Sequence, residues 1–211
     1  MKLEIIDDEV DAKIAEVHID GLFWKRIYKP FYHKKMRQIV SCESEEELRK
    51  AVLSIEGQKA KAMLLRKLTL KRHFSYELKG LLRKYCIMEE IIEKNIHKLS
   101  KLGYINDEES FFQEVRSCLK RGKGPYYIAC RLGEKTGLSK EEIMAKMQPF
   151  SDREQRDAIK KVLEKRFSRM DLQNCNIRRK AFQFLLRRGF SSDAIHERLQ
   201  KLVFDKDVPG I

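Results

Sequence analysis

The 211-residue sequence is poor in the residues that interrupt helices, with four prolines and ten glycines. A chain of many short strands and tight turns would need more of both. Long apolar runs are also missing: the longest clean one, Tyr126 to Cys130, is far shorter than the roughly 18 residues of a membrane span. We therefore expect a mainly helical protein with no membrane-spanning helix.

Signals for export, disulfides and metal binding are missing as well. Glu4, Asp7 and Asp8 stand where a secretory signal would carry a basic segment followed by an apolar one. The five cysteines form no Cys-x-x-Cys pair, and no histidine lies beside a cysteine or in a close pair. The sequence predicts a cytoplasmic protein that needs no metal, cofactor or disulfide.

Patterns of catalytic chemistry are not found either. The sequence has no Gly-x-x-x-x-Gly-Lys-Ser/Thr phosphate loop and no recognisable set of nucleophile, base and orienting group. The pairs Glu89-Glu90 and Glu141-Glu142 resemble catalytic acids, but their repeated position at helix starts is better explained by the helix dipole. We predict that the chain is not an enzyme. A hydrolase whose site assembles from distant acids is the least favoured alternative.

What the sequence has in excess is positive charge. Its 45 Lys and Arg against 32 Asp and Glu give a formal net charge of +13. Residues 1–57 carry 10 basic and 12 acidic side chains, so residues 58–211 carry 35 against 20. This distribution favours a polyanion or an acidic protein surface as the partner of the C-terminal part.

A β-hairpin is predicted near the N-terminus. Apolar residues alternate with polar ones in 14–19, Asp20-Gly21 follows, and an aromatic and β-branched run resumes in 22–28. Asp-Gly suits a two-residue type I′ turn, because both central positions need a positive φ. The two runs are therefore expected to pair as antiparallel strands.

The next residues predict a short third strand and then the first helix. Ile39 and Val40 are the candidates for that strand. Ser44 followed by three glutamates has the pattern of an N-cap with acids in the first helical turn. From Leu48 onward, apolar residues recur at spacings of three and four, which is typical of amphipathic helices.

A phrase repeats three times along the helical part, at Cys86–Ile92, Gly137–Ile143 and Gly189–Ile195, with spacings of 51 and 52 residues. In each copy a small residue ends one helix and an apolar residue follows. Ser caps the next helix in two copies, and an acid lies near its N-terminus. Each phrase therefore predicts a corner between two helices.

The repeat predicts a mainly α fold: an elongated tandem array of three three-helix units behind the small N-terminal β-hairpin. We expect the hairpin segment in 1–43 and the three units in 44–106, 107–150 and 151–211. The alternative is a single nine-helix globule without repetition.

Four segments, in order, resemble the bacterial regulatory protein RecX family. The likeness covers roughly Ile14 to the C-terminus and includes the hairpin; the basic, aromatic link from Lys29 to Arg37 departs from the family pattern. The segments are Leu70–Leu78 (LKRHFSYEL), Leu102–Glu108 (LGYINDE), Lys123–Pro125 (KGP, followed by Ile128 and Leu132) and Phe184–Ser191 (FLLRRGFS).

This resemblance implies an array of three-helix units that lies in the groove of the RecA recombinase filament and bridges neighbouring protomers. Binding there would restrain ATP turnover and strand exchange, which would make the protein a monomeric regulator of homologous recombination and DNA repair in the SOS response. Some members also bind single- or double-stranded DNA. The alternative is a basic helical DNA- or RNA-binding module that acts independently of RecA.

Basic residues cluster once in each predicted unit and are the candidate partner-binding or DNA-binding residues. A stripe of them along one side could follow a helical polyanion or an acidic groove. For any single residue, an ordinary solvated helix face is the simpler interpretation. The candidates are Lys71, Arg72, Lys79, Arg83 and Lys84; Arg116, Lys120, Arg121 and Lys123; and Arg178, Arg179, Lys180, Arg187 and Arg188.

Two tyrosines follow the Lys-Gly-Pro segment. Tyr126 and Tyr127 could stack on bases, as aromatic residues do in single-strand binders. Packing in the core at the start of a helix is the favoured interpretation, because aromatic side chains dominate cores.

Overall fold

A computed structural model describes residues 1–148 and 152–204 and confirms a mainly α fold with a small N-terminal sheet. The strands are β1 Leu3–Asp7, β2 Ile14–Ile19 and β3 Leu22–Tyr28. The α-helices are α1 Met36–Val40, α2 Glu45–Leu70, α3 Ser75–Lys84, α4 Glu89–Lys101, α5 Asp107–Lys120, α6 Pro125–Thr136, α7 Lys140–Lys146, α8 Asp152–Phe167, α9 Cys175–Arg187 and α10 Ser192–Phe204. None of the described helices is long and apolar enough to cross a membrane.

The chain divides into two compact units, Met1–Asp107 and Glu108–Ile211. The first contains the sheet and the helices α1 to α4, and the second contains α5 to α10 apart from the first residue of α5. Three helices lie in each of the segments 44–106, 107–148 and 152–204.

The sheet is antiparallel with the order β1-β2-β3. The hairpin is confirmed: Ile19 pairs with Leu22 across a two-residue loop in which Asp20 and Gly21 have φ angles of +50° and +82°. Positive φ at both positions is the geometry of the type I′ turn that Asp-Gly favours. The third strand is β1, which pairs along β2 from Leu3 opposite Ile19 to Asp7 opposite Ala15.

The expected third strand at Ile39 and Val40 is wrong, because both residues lie in α1. Ile39 is 1% exposed and packs into the core under the sheet, whereas Val40 is 59% exposed. An apolar pair too short to show a period fits a helix with one buried position as well as a strand.

The long helix α2 joins the sheet to the helical part. Its N-cap is Ser44, as predicted, and the side chain of Ser44 accepts a hydrogen bond from the backbone N–H of Glu47. Toward its N-terminus α2 buries Leu48, Val52 and Ile55 under the sheet. Toward its C-terminus it contributes Ala60 and Leu64 to a second core with α3 and α4. Each fully buried aliphatic side chain contributes roughly 1.5–3 kcal/mol.

The predicted corners are confirmed at all three repeated phrases, where α3 meets α4, α6 meets α7 and α9 meets α10. Cys86, Gly137 and Gly189 have φ angles of +56°, +71° and +84°. Each therefore adopts the left-handed conformation that ends a helix and turns the chain. This shared backbone state explains why small residues stand at the three positions.

The caps that follow the corners differ. Ser139 forms a capping box with Glu142, and Ser191 accepts a hydrogen bond from the backbone of Ala194. Met88 has no capping side chain of its own, and its backbone N–H donates to the carboxylate of Glu56 at 2.8 Å. An acid on α2 thus accepts the N-cap N–H at this corner, as Glu142 does for the N–H of Ser139 in the second copy.

Candidate polyanion-binding groove

The α5–α6 turn contacts the α9–α10 turn within the second unit. The backbone N–H of Gly124 donates to the carbonyl of Arg188 at 2.8 Å, and that of Tyr126 donates to the carbonyl of Gly189 at 3.0 Å. Gly124 and Pro125 thereby start α6 against the other turn. These contacts fix the position of α9 relative to α5 and α6.

Glycine is required at this contact for steric reasons. A Cβ atom on Gly124 would lie 2.3 Å from the backbone of Gly189, and one on Gly189 would lie 2.4 Å from the backbone N of Tyr127. Both distances are far below a normal carbon contact. The Lys-Gly-Pro segment is therefore a packing element of the second unit.

A groove of about 490 Å³ lies next to this contact. Three apolar side chains, Leu119, Val162 and Phe184, form part of its wall, and none of the described residues that line it is acidic. Its cationic lining residues are Lys120, Arg121, Lys161, Lys165, Arg166 and Arg188.

The arginines of the groove are held by contacts within the protein. Arg188 donates its Nη1 to the carbonyls of Arg121 and Gly122 at 2.9 and 3.1 Å, and its guanidinium lies 4.8 Å from the ring centroid of Phe184. The guanidinium of Arg166 lies 5.7 Å from the centroid of the same ring. Their positive charges are thus fixed in position, since Arg keeps its charge at every accessible pH.

The three lysines of the groove are exposed. Lys120, Lys161 and Lys165 have no acid partner within residues 1–148 and 152–204. Lys161 and Lys165 are four residues apart on α8 and so share a helix face. These flexible, solvated ammonium groups are available to an external anion.

The carboxylate of Glu114, next to Arg121, partly neutralises the positive charge of the groove. Glu114 on α5 accepts from Nε of Arg131 at 2.6 Å, and Lys135 and Arg121 lie at 3.4 and 3.7 Å from it. Burial would raise the pKa of Glu114, but the hydrogen bond from Arg131 and the charge of Lys135 outweigh it and lower that pKa. Glu114 thus stays ionised and orients Arg121, which also donates to Sγ of Cys118 at 3.2 Å.

The predicted residues of the first unit are arranged differently. Lys79 pairs with Glu93 at 2.6 Å, and Arg83 pairs with Glu89 through two hydrogen bonds of 3.0 and 2.5 Å. Lys79 and Arg83 share a face of α3, as their spacing predicts, but that face is turned toward acids of α4. Lys71, Arg72 and Lys84 are exposed at helix ends.

The remaining predicted residues lie outside the groove. Arg116 is exposed on α5, and Lys123 lies 4.0 Å over the ring of Tyr127. Arg178 and Arg179 line a separate cleft of about 560 Å³ with Phe182 and His196. Lys180 and Arg187 are exposed on α9.

Core packing, the favoured interpretation for both tyrosines, is wrong for Tyr126. Its side chain is 44% exposed, and the ammonium of Lys140 lies 4.7 Å from its ring centroid. Tyr127 is half-buried under Lys123. A helix start can face solvent as well as core, and sequence spacing does not distinguish the two.

The same chain resembles proteins of one family in sequence and structure. Residues 153–199 match the family model described as RecX, third three-helix domain. The regulatory protein RecX of Stenotrophomonas maltophilia (strain R551-3) is 31% identical over 138 residues, which cover 65% of this chain and 81% of that protein. The chain belongs to the RecX family.

Other RecX proteins extend the likeness. The regulatory protein RecX of Streptococcus pneumoniae (strain Hungary19A-6) is 30% identical over 165 residues, which are 77% of this chain and 61% of that protein. The crystal structure of RecX from Lactobacillus salivarius superposes with a TM-score of 0.61 at 27% identity over 72% of this chain and 99% of that one. A crystal structure of regulatory protein RecX with 21% identity covers 95% of this chain and 98% of that one at a TM-score of 0.58, which supports the fold.

Three of the six cationic residues that line the groove were not predicted from the sequence. Lys161, Lys165 and Arg166 all lie within the segment that matches the third RecX domain, yet they were not among the predicted residues. Their signal was the spacing of four between Lys161 and Lys165 on a helix with a buried opposite face. Since α8 carries several exposed basic residues besides these, that spacing alone did not show which lysines line the groove.

The described residues contain no group of three or more His, Cys, Asp or Glu side chains that could hold a metal ion. The five cysteines are free thiols.

Proposed function

We propose that this chain is a cytoplasmic, non-enzymatic regulator that acts as a monomer. It binds the groove of the RecA filament on DNA and lowers its ATP hydrolysis and strand exchange. The observation that carries the proposal is the cationic groove in a chain of the RecX family. Three exposed lysines there have no acid partner among the described residues, and two arginines are fixed beside them.

The groove would act by attraction to negative charge on the filament. Six cations line the groove, only Arg121 among them lies near an acid of the described chain, and their positive potential would strengthen association with DNA phosphates or acidic side chains. Contact with two neighbouring protomers would hold them in one relative position. Because a filament must change the arrangement of its protomers during turnover, such a bridge would slow ATP hydrolysis.

The test is the rate of ATP hydrolysis by RecA on single-stranded DNA, titrated with the protein. The groove variant combines Lys120→Glu, Lys161→Glu and Lys165→Glu. The control combines Lys94→Glu, Lys98→Glu and Lys101→Glu, which changes the same net charge on exposed positions of α4.

We expect the wild-type chain and the control to inhibit ATP hydrolysis at substoichiometric ratios. The groove variant should need at least about tenfold more protein for the same effect, because three attractive contacts become repulsive. Circular dichroism checks that both variants are folded. Absence of inhibition by the wild-type chain at any ratio would refute the regulator proposal, and equal loss in both variants would refute the role of the groove.

The second candidate is a DNA- or RNA-binding module that acts independently of RecA. The observation that favours it is the exposed ring of Tyr126, which lies beside Lys140, since exposed aromatics can stack on bases. Fluorescence anisotropy of a labelled oligonucleotide decides between the two. Tight oligonucleotide binding that Tyr126→Ala weakens, without any effect on RecA, would support this alternative.

A further inference from the structure

A larger cleft, of about 860 Å³, lies in the first unit beside α2. Its lining comes from the residues before β2, from the short 3₁₀-helix Lys29–Phe31, from the link into α1, and from α2.

The floor of this cleft is apolar and fixed. Ile55 is 2% exposed, and Phe31 and Met36 are half-buried and pack against the core under the sheet. The ring of Phe31 stacks on Tyr85 at 5.6 Å and meets Tyr28 edge to face at 5.0 Å. An apolar group of a ligand would therefore enter a preformed site.

The rim of the cleft is cationic. Five lysines line it, and none of the other described residues in its lining is acidic. Lys29 is paired with Asp7 at 2.8 Å, whereas Lys13, Lys34, Lys35 and Lys59 have no ion pair within the part of the chain that the structure describes. Lysines gathered around an apolar floor favour a ligand that carries both carboxylates and an apolar group.

We propose that this cleft binds an acidic peptide segment of a partner protein, with a leucine or phenylalanine side chain on the floor and carboxylates on the lysine rim. A nucleic acid fits less well. Among the described residues the cleft contains no arginine for bidentate phosphate binding, and Tyr85 covers one face of Phe31, which leaves less ring surface on which a base could stack.

This proposal is independent of the filament groove. Every residue from Lys29 to Met36 except the buried Tyr32 lines the cleft, and these make up most of the basic and aromatic link that departs from the RecX pattern, whereas the groove of the second unit uses other residues. A feature outside the family pattern suits a partner specific to this chain. Either proposal can therefore be refuted while the other still holds.

The first experiment measures fluorescence anisotropy of a short labelled peptide in which a leucine and a phenylalanine are flanked by glutamates. The cleft variant is Lys34→Glu with Lys59→Glu. The control is Lys94→Glu with Lys98→Glu, which makes the same charge change on α4. We expect the affinity to fall about tenfold in the cleft variant and less than about twofold in the control.

Two further peptides test the dual chemistry. Replacing the glutamates by glutamines, or the two apolar residues by serines, should each abolish most of the binding. In the full chain labelled at the methionine methyl groups, peptide should shift the NMR resonance of Met36 and leave Met170, which is exposed on the other unit, unchanged.

The following outcomes would overturn the proposal. The first is equal loss of binding in both lysine variants, which would indicate attraction to net charge only. The second is tighter binding of a single-stranded oligonucleotide than of the peptide, lost in the cleft variant, which would assign the cleft to nucleic acid. The third is self-association in sedimentation that the cleft variant abolishes, which would assign it to a second copy of the chain.

Discussion

At the scale of single residues, Glu56 connects the sheet to the first helical core. It is 1% exposed and accepts hydrogen bonds from the ammonium of Lys25, from the hydroxyl of Tyr32 and from the backbone of Met88. Burial, and then the charge of Glu56, raise the pKa of Tyr32, so its hydroxyl stays a donor. A buried carboxylate with three donors is a tolerated polar group, whereas the same group without them would be costly.

Glu56→Gln should lower the free energy of unfolding by about 3 kcal/mol, because it leaves Lys25 buried without its counter-charge. Urea unfolding measures this change in free energy when it is followed by helical circular dichroism and by the fluorescence of Trp24. Trp24 is the only tryptophan and packs in the core under the sheet. Glu46→Gln, on the exposed start of α2, is the control and should cost less than about 0.5 kcal/mol. Equal costs for the two changes would contradict this account of Glu56.

At the scale of elements, corners and turns decide how the helices of a unit meet. The left-handed residues Cys86, Gly137 and Gly189 place each following helix, and the contact between Gly124 and Gly189 packs two turns backbone to backbone. The helices themselves need only local periodicity and caps. Their arrangement needs an absence of side chain at specific places, which makes these glycines sensitive positions.

Gly124→Ala should destabilise the second unit by at least about 2 kcal/mol, because its Cβ would overlap the backbone of Gly189. Gly57→Ala on α2 is the matched change, since a Cβ there meets nothing within 4 Å. It should stabilise the protein by about 0.5–1 kcal/mol, as Ala is the better helix former. Thermal unfolding followed by circular dichroism measures both. A neutral Gly124→Ala would show that the turns can separate at no cost.

At the scale of the whole molecule, charge is divided unevenly. The acidic excess of residues 1–57 and the basic excess of residues 58–211 are properties of composition. The structure then pairs part of the basic residues internally, as with Lys79 and Arg83, and leaves others exposed in the groove. The count of 45 Lys and Arg side chains therefore overstates the number of cations that can meet a partner.

The salt dependence of oligonucleotide binding measures how many of these cations contact the nucleic acid. For single-stranded DNA, the slope of log K against log salt concentration should become shallower by about 2 in the variant with Lys120, Lys161 and Lys165 changed to glutamate. Arg83→Glu should change the slope much less, because Arg83 is already paired with Glu89. Titrations at several salt concentrations, read by anisotropy, give both slopes. An unchanged slope in the triple variant would show that the groove does not contact phosphate.

The sequence by itself determined the helices, the hairpin and the corners. These depend on neighbours in the chain: apolar residues three and four apart, Ser44 and Ser139 as caps, and Asp20-Gly21 in a turn. The same local patterns carried the resemblance to the RecX family. Short patterns did not identify their elements: Ile39 and Val40 were expected in a strand but lie in a helix, and strand β1 was not predicted.

Only the tertiary structure decided which charged residues meet. Arg188 reaches the carbonyl of Arg121, 67 residues away in sequence, and Glu56 meets Lys25 across 31 residues. A basic or acidic residue on a helix has the same local pattern whether it pairs, packs or faces solvent. The groove, the buried ion pair and the lysine-rimmed cleft are set by contacts between distant segments, because side-chain burial and pairing depend on how the elements pack rather than on how each one forms.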